Sequence, residues 1–504
     1  MTESPSAVIV AVDQGTSSTK VIAVNAAGNL VGQSSTAIGQ QRPHPGWVEQ
    51  DADEILDSVV RGIEEAVHGI AHRVVAIAIS SQRESALAWD RATGRPLGPM
   101  LGWQDRRSIA AAQALEAAGH GPHARAVTGL PIDPMFSALK FAWLLDDIDP
   151  DRTRSAAGEI ALGTVDSWLV YSLTGEHRIE AGNASRTQLL SLESVDWDDG
   201  LLELFRIPRA ALPRVAASTE PTGAVTGIPS LPEGTRVTAI LGDSHAALFG
   251  HGARKPGAIK VTLGTGSSIM GLLGSAAPAR AGLVKTIAWS TPDASYAFEG
   301  NILSTGATIV WLAGILGTTT TELFDLAVGA DDNAKVDLVP AFAGLGAPWW
   351  DESARAIITG FDLGTTKAQL ARAAMESIAL QIEDVLSAAE QGADHRFDTI
   401  LIDGGPAANN WLAQQIADLC QRRVQRPNTP GLSALGAAHL AGIAAGVWTP
   451  DAVLALNHDS TIFDPIMAAQ TAAARRTRWH AAIALSRGRT NLSLNTPLEE
   501  EGTS

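Results

Sequence analysis

The chain of 504 residues is 45% hydrophobic and 18% charged, which is typical of a globular protein with at least two large domains. Its formal net charge of −17 argues against a nucleic-acid-binding surface, so an anionic substrate would need local help from a metal, Lys/Arg or backbone dipoles. Cys420 is the only cysteine, which excludes an intramolecular disulfide and a zinc cluster and fits a cytoplasmic protein. We expect no signal peptide and no membrane span, because the N-terminus lacks a basic region and no apolar run reaches about 18 residues.

The first predicted strand ends in Asp13-Gln-Gly15-Thr16 and small hydroxyl residues. Gly15 is expected to take the positive φ of a tight turn, after which N–H groups and hydroxyls can converge on an anion. Asp13, at the strand end, is placed to hold a divalent cation or its water shell. For this segment alone, an ordinary turn in which Asp13 and Thr16 satisfy local backbone groups is the favoured interpretation.

Two later turns repeat this pattern. A strand over 258–263 is followed by Gly264-Thr265-Gly266, and the apolar end of another predicted strand, Leu401-Ile-Asp403, is followed by Gly404 and Gly405. Three such turns, one early and two in the second half, suggest a duplicated domain that clasps one nucleotide.

Between these turns, the first half alternates helix and strand. Apolar residues on one face predict a helix over 52–68, and the continuous apolar run 74–80 predicts a central strand covered on both sides. That strand delivers Arg83 and Glu84 to its carboxyl end, where open α/β sheets bind their ligands.

Trp103 is predicted to begin a helix that carries the arginines at 106–107. A strand over 236–242 ends at Asp243, and a helix over 246–250 follows at once. We place the domain boundary just after that helix, where Gly, Lys and Pro cluster.

The second half is predicted to be rich in helices. One starts at Gly306, a long amphipathic helix covers 369–390, and the Ala/Gly-rich run 434–447 is a close-packed core helix. The chain thus divides into an N-terminal domain (1–251), a C-terminal domain (252–489) and a tail (490–504) that we expect to be disordered.

In order and spacing, these segments resemble the FGGY carbohydrate kinases, with the strongest likeness to the glycerol kinases. The resemblance implies an α/β fold of two duplicated actin/Hsp70/hexokinase-like (ribonuclease H-like) ATPase domains around a central cleft. Its motifs are Asp13-Gln-Gly-Thr, Pro45-Gly-Trp-Val-Glu, Gln82-Arg-Glu, Gly163-Thr-Val-Asp-Ser-Trp, Asn183-Ala-Ser-Arg-Thr, Gly344-Leu-Gly-Ala-Pro, Asp403-Gly-Gly with Asn409-Asn410, and Ala434-Leu-Gly-Ala-Ala.

The resemblance implies ATP-dependent phosphoryl transfer to a hydroxyl of a small polyol or sugar. Asp243 would be the general base, and a helix N-cap is its alternative role. Arg83 and Glu84 would bind neighbouring hydroxyls, with a surface ion pair as the alternative. Trp103 would cover the C–H edge of the substrate, although an isolated tryptophan is more often part of the core.

The same resemblance implies a nucleotide site between the two halves, with Mg²⁺ near Asp13. The phosphates would lie among Thr16, Ser17, Ser18, Lys20, Gly264 and Thr265, and the nucleoside would contact Gly306, Val310, Gly405 and Asn409.

Three replacements set this chain apart from glycerol kinases, which usually have Tyr at Met135, Gln at Ser244 and an aromatic residue at Ser268. Loss of these large groups predicts a roomier pocket, suited to a four- or five-carbon polyol or ketose, with glycerol as the family default. Val310 replaces a glutamine near the nucleotide, which would alter nucleotide affinity.

A non-enzymatic nucleotide switch on the same fold is the competing hypothesis. Arg83, Glu84, Trp103 and Asp243 argue against it, because a switch needs no groups that grip a polyol. A sugar sensor is disfavoured because Asp13 and Asp243 are intact. Glycerol kinases commonly form dimers or tetramers, so the resemblance implies a homodimer or a homotetramer.

Overall fold

The computed structural model describes residues 7–274, 282–331, 335–391, 396–429, 431–456 and 459–488. The predicted disordered tail lies outside the described residues.

In the first half the strands are β1 (Val8–Gln14), β2 (Ser18–Asn25), β3 (Leu30–Ala37), β4 (Glu49–Gln50), β5 (Val74–Ser81), β6 (Leu87–Asp90), β7 (Met100–Leu101), β8 (Ile160–Gly163), β9 (Arg178–Glu180), β10 (Leu190–Ser191), β11 (Asp196–Trp197), β12 (Arg214–Ala216) and β13 (Val237–Gly242). The helices are α1 (Ala52–Ala66), α2 (Ile109–Ala117), α3 (Gly121–Thr128), α4 (Ser137–Ile148), α5 (Thr153–Ala156), α6 (Val165–Thr174), α7 (Ala181–Ala184), α8 (Asp199–Leu204) and α9 (Asp243–Gly250).

The second half begins with the next strand. Its strands are β14 (Ala258–Leu263), β15 (Ser267–Leu272), β16 (Val284–Ser290), β17 (Ala294–Ile302), β18 (Asp337–Val339), β19 (Ile357–Thr359), β20 (Thr399–Asp403), β21 (Arg423–Pro427) and β22 (Ser460–Phe463). Its helices are α10 (Gly306–Leu316), α11 (Thr320–Val328), α12 (Lys367–Glu390), α13 (Asn410–Cys420), α14 (Leu432–Ala444), α15 (Pro450–Ala455) and α16 (Ala469–Ser486).

Each half is built on one mixed sheet, and the two sheets share a motif. The first has the order β13-β5-β1-β2-β3, in which the β1-β2 hairpin is antiparallel and β5 is parallel to β1. The second has the order β16-β17-β15-β14-β20-β21-β22, in which β14 and β15 form the hairpin and β20 is parallel to β14. The same hairpin and parallel neighbour in both sheets agree with the predicted duplication.

Strand β1 shows how the sheet alternation builds two cores. Val8, Val10 and Val12 join the core that contains α1, whereas Ile9 and Ala11 join the core that contains α14. Successive side chains of a strand point to opposite faces, so a continuous apolar run produces a strand covered on both sides.

Helix α14 belongs to the second half of the chain but packs against the first sheet and α9. A Cβ on Gly436 would lie 1.9 Å from the carbonyl oxygen of Ala246, so only glycine permits this close crossing. The core helix predicted over 434–447 thus joins the two halves, and the boundary near 251 stays a prediction.

The helix predicted to start at Trp103 is wrong in position, because α2 begins at Ile109. The Asp105 carboxylate accepts the backbone N–H groups of Val48 at 2.7 Å and Arg107 at 3.0 Å. Side-chain bonds of this kind offer the backbone an alternative to the helix.

No single helix of the described segments is long and apolar enough to cross a membrane; the bent pair α10 and α11, at 91°, passes by length and composition only.

Candidate active site

Arg83 and Glu84 follow β5, as predicted, and both are buried. The Arg83 guanidinium donates two hydrogen bonds to Glu299 of β17, from Nη1 to Oε2 at 2.9 Å and from Nη2 to Oε1 at 2.8 Å. Arg186 contacts both acids, with Nε 2.5 Å from Oε1 of Glu84 and Nη1 3.1 Å from Oε2 of Glu299. These four residues form a buried ion network, so the interpretation as a surface ion pair is wrong.

The backbone around this network is constrained. Glu84 has φ of 59°, in the left-handed region that is costly for a residue with a Cβ. A Cβ on Gly242 would lie 2.5 Å from Cδ of Arg83, so this position needs glycine. The strand end is shaped to hold the two charged side chains.

Asp243 is the first residue of α9, and Gly242 occupies the N-cap. The alternative interpretation of Asp243 as the N-cap is therefore wrong, and the helix starts three residues before the predicted position. Its Oδ1 accepts the backbone N–H of Ser244 at 2.6 Å and lies 3.3 Å from Nε of Arg83. Its side chain is 38% exposed, which leaves part of the carboxylate open to the cleft.

The surroundings of Asp243 raise its pKa. Desolvation is the main cause, Arg83 opposes it and the negative charge of Glu84 adds to it. A carboxylate whose proton affinity is raised is a better base near neutral pH.

Asp13 lies at the end of β1, where Oγ of Ser80 donates a hydrogen bond to its Oδ1 at 3.0 Å. Burial raises its pKa from 3.8 to about 6, and the charge of Asp243 contributes to the shift. Two acidic groups that repel each other in one cleft favour a cation. Within the described segments, no group of three or more His, Cys, Asp or Glu side chains is arranged to hold a metal ion.

The first phosphate turn differs from the prediction in one detail. A hydrogen bond from the N–H of Gly15 to the carbonyl of Ser18, at 3.0 Å, closes the turn. The φ of Gly15 lies outside the left-handed region, so the predicted positive φ is wrong. Ser17 and Lys20 are exposed, and Ser18 begins β2. The hydroxyls of this turn lie beside the end of β1, as the motif predicts.

Thr16 connects this turn to the predicted substrate side. Its hydroxyl oxygen accepts the indole N–H of Trp103 at 3.0 Å, and its carbonyl accepts the amide of Gln50 at 3.0 Å. Gln82 in turn donates to Gln50 at 2.8 Å and to Gln14 at 3.2 Å. The sequence analysis missed this amide network, which ties the phosphate turn to the end of β5. Trp103 is 38% exposed, so it is not simply a core residue.

The second phosphate turn adjoins the start of α10. The N–H of Gly306 donates to the carbonyl of Gly264 at 2.9 Å, and that of Ala307 donates to the carbonyl of Thr265 at 3.0 Å. A Cβ on Gly306 would lie 2.6 Å from the Gly264 oxygen, so this position needs glycine for its contact with the second phosphate turn, and its predicted contact with the nucleoside stays a prediction. Val310, farther along α10, is 64% exposed.

The third turn lies beside the second. A Cβ on Gly404 would lie 2.1 Å from the carbonyl oxygen of Leu263, which directly precedes Gly264. Gly405 is exposed, with open space around its Cα. The side chain of Asn409 caps α13 by accepting the N–H of Leu412 at 2.9 Å. The structure therefore brings the two glycine turns of the second half together, and it gives Asn409 a structural role.

Two of the three positions that depart from the glycerol kinases, Ser244 and Ser268, lie beside the ion network. Oγ of Ser244 lies 3.3 Å from Oγ of Ser268, which donates to Oε1 of Glu299 at 3.3 Å. Met135 is partly buried and packs with Trp350 against a small apolar cluster. Small side chains thus stand beside the charged groups where the resemblance places large ones.

The comparisons cover nearly the whole chain. Residues 8–250 match the N-terminal domain, and residues 259–445 the C-terminal domain, of the FGGY family of carbohydrate kinases. A protein named glycerol kinase from Rhodopirellula baltica is 41% identical over 494 residues, which is 95% of this chain and 90% of that relative. One named apulose kinase, from Pectobacterium atrosepticum, is 40% identical over 488 residues, which is 95% of this chain and 98% of that relative.

Solved structures extend the likeness to the fold. The crystal structure of Plasmodium falciparum glycerol kinase with ADP has a TM-score of 0.90 and 27% identity, covering 95% of this chain and 98% of that one. Xylulose kinase from Rhodospirillum rubrum has a TM-score of 0.84 and 25% identity, with the same two coverages. The fold class predicted from the sequence is confirmed.

The raised pKa of Asp13 gives a test of the electrostatics at this site. Between about pH 4 and 6 the native state holds a proton that the unfolded chain has released, so stability falls as the pH rises through this window. The penalty is fully present above about pH 6 and absent in the variant Asp13→Asn. We expect this variant to melt at a higher temperature than the wild type near pH 7.5, with a smaller difference near about pH 4.

Differential scanning fluorimetry across this range measures the effect. The matched control is the exposed Asp147, whose change to Asn should alter the melting temperature little at either pH. A difference for Asp13→Asn that does not depend on pH would contradict the account.

Proposed function

The chain belongs to the FGGY family of carbohydrate kinases, and we propose that it transfers the γ-phosphoryl group of ATP to a hydroxyl of a four- or five-carbon polyol or ketose, with Asp243 as the general base. The family is one of phosphotransferases with a hydroxyl acceptor, so the non-enzymatic switch is set aside. The observation that carries the assignment of the site is the partly open Asp243 carboxylate, which Arg83 holds at the edge of the buried ion network.

In this proposal the oxygen of the acceptor hydroxyl attacks the γ-phosphorus while the hydroxyl proton passes to the Asp243 carboxylate. The bond between that phosphorus and the β,γ-bridging oxygen breaks, and ADP leaves. Arg83 orients the carboxylate through its 3.3 Å contact. Arg83, Glu84 and Trp103 bind the rest of the acceptor, with Met135 and Ser244 in the pocket wall. Phosphoryl transfer depends mainly on such positioning and on neutralising charge.

The nucleotide would lie between the turns of the two halves. The hydroxyls of the first turn and the N–H groups that neither turn uses internally would bind the triphosphate, as anion-binding nests do. The phosphate side comprises Thr16, Ser17, Ser18, Lys20, Gly264 and Thr265, and the nucleoside side comprises Gly306, Val310, Gly405 and Asn409. For Asn409 the contact would have to come from the amide nitrogen or the backbone, because its oxygen caps α13.

Asp13 fits a Mg²⁺ ion, because its half-buried carboxylate has an acidic neighbour in Asp243 and few protein ligands around it. Mg²⁺ is usually bound by one or two carboxylates together with waters and substrate phosphates. When bound, the ion would neutralise charge on the β- and γ-phosphates. Asp13 would hold it directly or through its waters.

The size of the acceptor is argued from the wall of the pocket. Ser244 and Ser268 face each other with short side chains, and Met135 offers no hydroxyl to a substrate. These residues leave room for a longer acceptor and remove hydrogen-bonding partners that would select glycerol. Curated relatives of similar identity include both glycerol kinases and an apulose kinase, so glycerol is the alternative acceptor.

We also propose a cytoplasmic protein that forms a homodimer or homotetramer. The only cysteine, Cys420, is buried as a free thiol, which suits a reducing compartment. Large apolar side chains such as Phe361 and Leu363 are exposed on one loop, which favours association.

Changing Asp243 to Asn tests the base directly. We expect kcat to fall by about 10²–10⁴-fold with little change in the KM for ATP, because the amide cannot accept the proton. ADP release at saturating ATP and Mg²⁺ measures this change, and circular dichroism checks the fold. Retained turnover would show that another group is the base.

A panel of C3 to C6 polyols and ketoses, ranked by kcat/KM for ADP release, tests the acceptor. We expect a C4 or C5 compound to lead, and the triple variant Met135→Tyr, Ser244→Gln, Ser268→Phe to shift preference towards glycerol. A wild type that prefers glycerol would overturn the roomier-pocket argument. Absence of ADP release with any acceptor would overturn the proposed function itself.

A further inference from the structure

Lys140 is a buried cation that the proposed chemistry does not use. It lies in the first turn of α4, and its side chain has no exposed surface. Its ammonium donates hydrogen bonds to the carbonyl of Pro134 at 3.2 Å and to the carbonyl of Met135 at 2.5 Å. An ammonium in the interior is costly, so a position that retains one needs a specific reason.

Ionisable side chains bind both the backbone N–H and the backbone carbonyl of Met135. Its carbonyl accepts from Lys140, and its N–H donates to Oδ1 of Asp133 at 2.7 Å. The same end of α4 is fixed to the segment between β5 and β6, because Oγ of Ser137 donates to the carbonyl of Ser85, the residue after Glu84. The loop that carries Met135 is therefore attached to the segment that carries the predicted acceptor-binding residues.

We propose that Lys140 is a positioning residue for the acceptor: its ammonium fixes the backbone of Pro134 and Met135 and so sets the wall of the acceptor pocket beside Glu84. This inference rests on the proposed function, because it assigns the Met135 side chain to that pocket. Both of these hydrogen bonds of the Lys140 ammonium go to the loop of Pro134 and Met135 rather than to a phosphate turn.

The position of Lys140 also makes the pocket sensitive to pH. Burial lowers its pKa from 10.5 to about 7, whereas the acidic groups Glu84, Asp105 and Asp133 oppose the shift and Arg106 adds to it. Above about pH 7 the amine becomes neutral, and its bonds to the two carbonyls lose their charge assistance. The KM for the acceptor should therefore rise between about pH 6 and pH 9, while the KM for ATP follows a different profile.

The test compares Lys140→Met with Lys140→Arg, using the acceptor that gives the highest kcat/KM in the panel. Methionine leaves two carbonyls without their donor, so the acceptor KM should rise by about ten- to a hundredfold, with a smaller change in kcat and an unchanged KM for ATP. Arginine keeps the charge and should restore part of the affinity and flatten the pH profile of the acceptor KM.

The matched control is Lys367→Met, because the exposed Lys367 also donates to a backbone carbonyl, that of Leu316 at 3.3 Å. This control should leave both KM values unchanged. A Lys140→Met enzyme with a lower melting temperature but a wild-type acceptor KM would overturn the inference and leave a purely structural role. If Lys140→Met does not fold, a wild-type acceptor KM that does not rise between about pH 6 and pH 9 overturns it equally. Either result leaves the proposed function standing, because the wild type would still phosphorylate the acceptor.

Discussion

The paired hydrogen bonds between Arg83 and Glu299 are the interaction on which the rest of the site depends. They join the end of β5 in the first sheet to β17 in the second, across 216 positions of sequence. Burial alone would raise the pKa of Glu299, but Arg186 and Arg83 hold it well below its ordinary value. Buried charges are tolerated only when they are paired, so removing one member leaves the others uncompensated. The two halves of the chain are thus fixed to each other where the acceptor is proposed to bind.

Two features of the candidate site are unfavourable for the stability of the fold. Burial and the charge of Asp243 raise the pKa of Asp13, and Glu84 occupies a backbone conformation unfavourable for its type. Such local conflicts are expected at functional sites, which agrees with the proposal that a cation and a nucleotide bind here. The buried ion network and the amide bonds of Gln50 and Gln82 provide the rigidity around them.

The polar residues at strand ends could be predicted from the sequence, because an apolar run followed directly by polar residues indicates where a buried strand ends. The predicted positions of Asp13, Arg83 and Asp243 at or just after strand ends agree with the structure, whereas their roles stay predictions. Glu299 and Arg186 were missed as members of the network because their partners are distant in sequence. Glu299 lies in the middle of β17, where a lone acid in an apolar strand is the signal that could have revealed it. Lys140 gives a similar signal in the apolar α4.

Local bonding also explains the errors in secondary structure. The helix placed at Trp103 starts later because the Asp105 carboxylate accepts the backbone N–H of Arg107, which a helix from Trp103 would use, and also binds the backbone of Val48. Helix α14 was predicted as a core helix, but periodicity could not reveal that it packs on the sheet of the other half. Hydrophobic periodicity predicts helices and strands but not the chemical roles of residues, so the predicted catalytic and binding roles came from the FGGY resemblance. The resemblance left open which acceptor fits beside Ser244 and Ser268.

The most direct test of the central claim is the affinity for the best acceptor when Glu299 is changed to Gln, measured by titration calorimetry. The account predicts that Glu299→Gln binds the acceptor at least about tenfold more weakly while it still binds ATP, because two buried arginines lose their shared carboxylate. The matched control is Glu352→Gln, since Glu352 is 74% exposed and only 3.4 Å from Arg106, and it should bind as the wild type does. A folded Glu299→Gln protein with wild-type acceptor affinity would contradict the account.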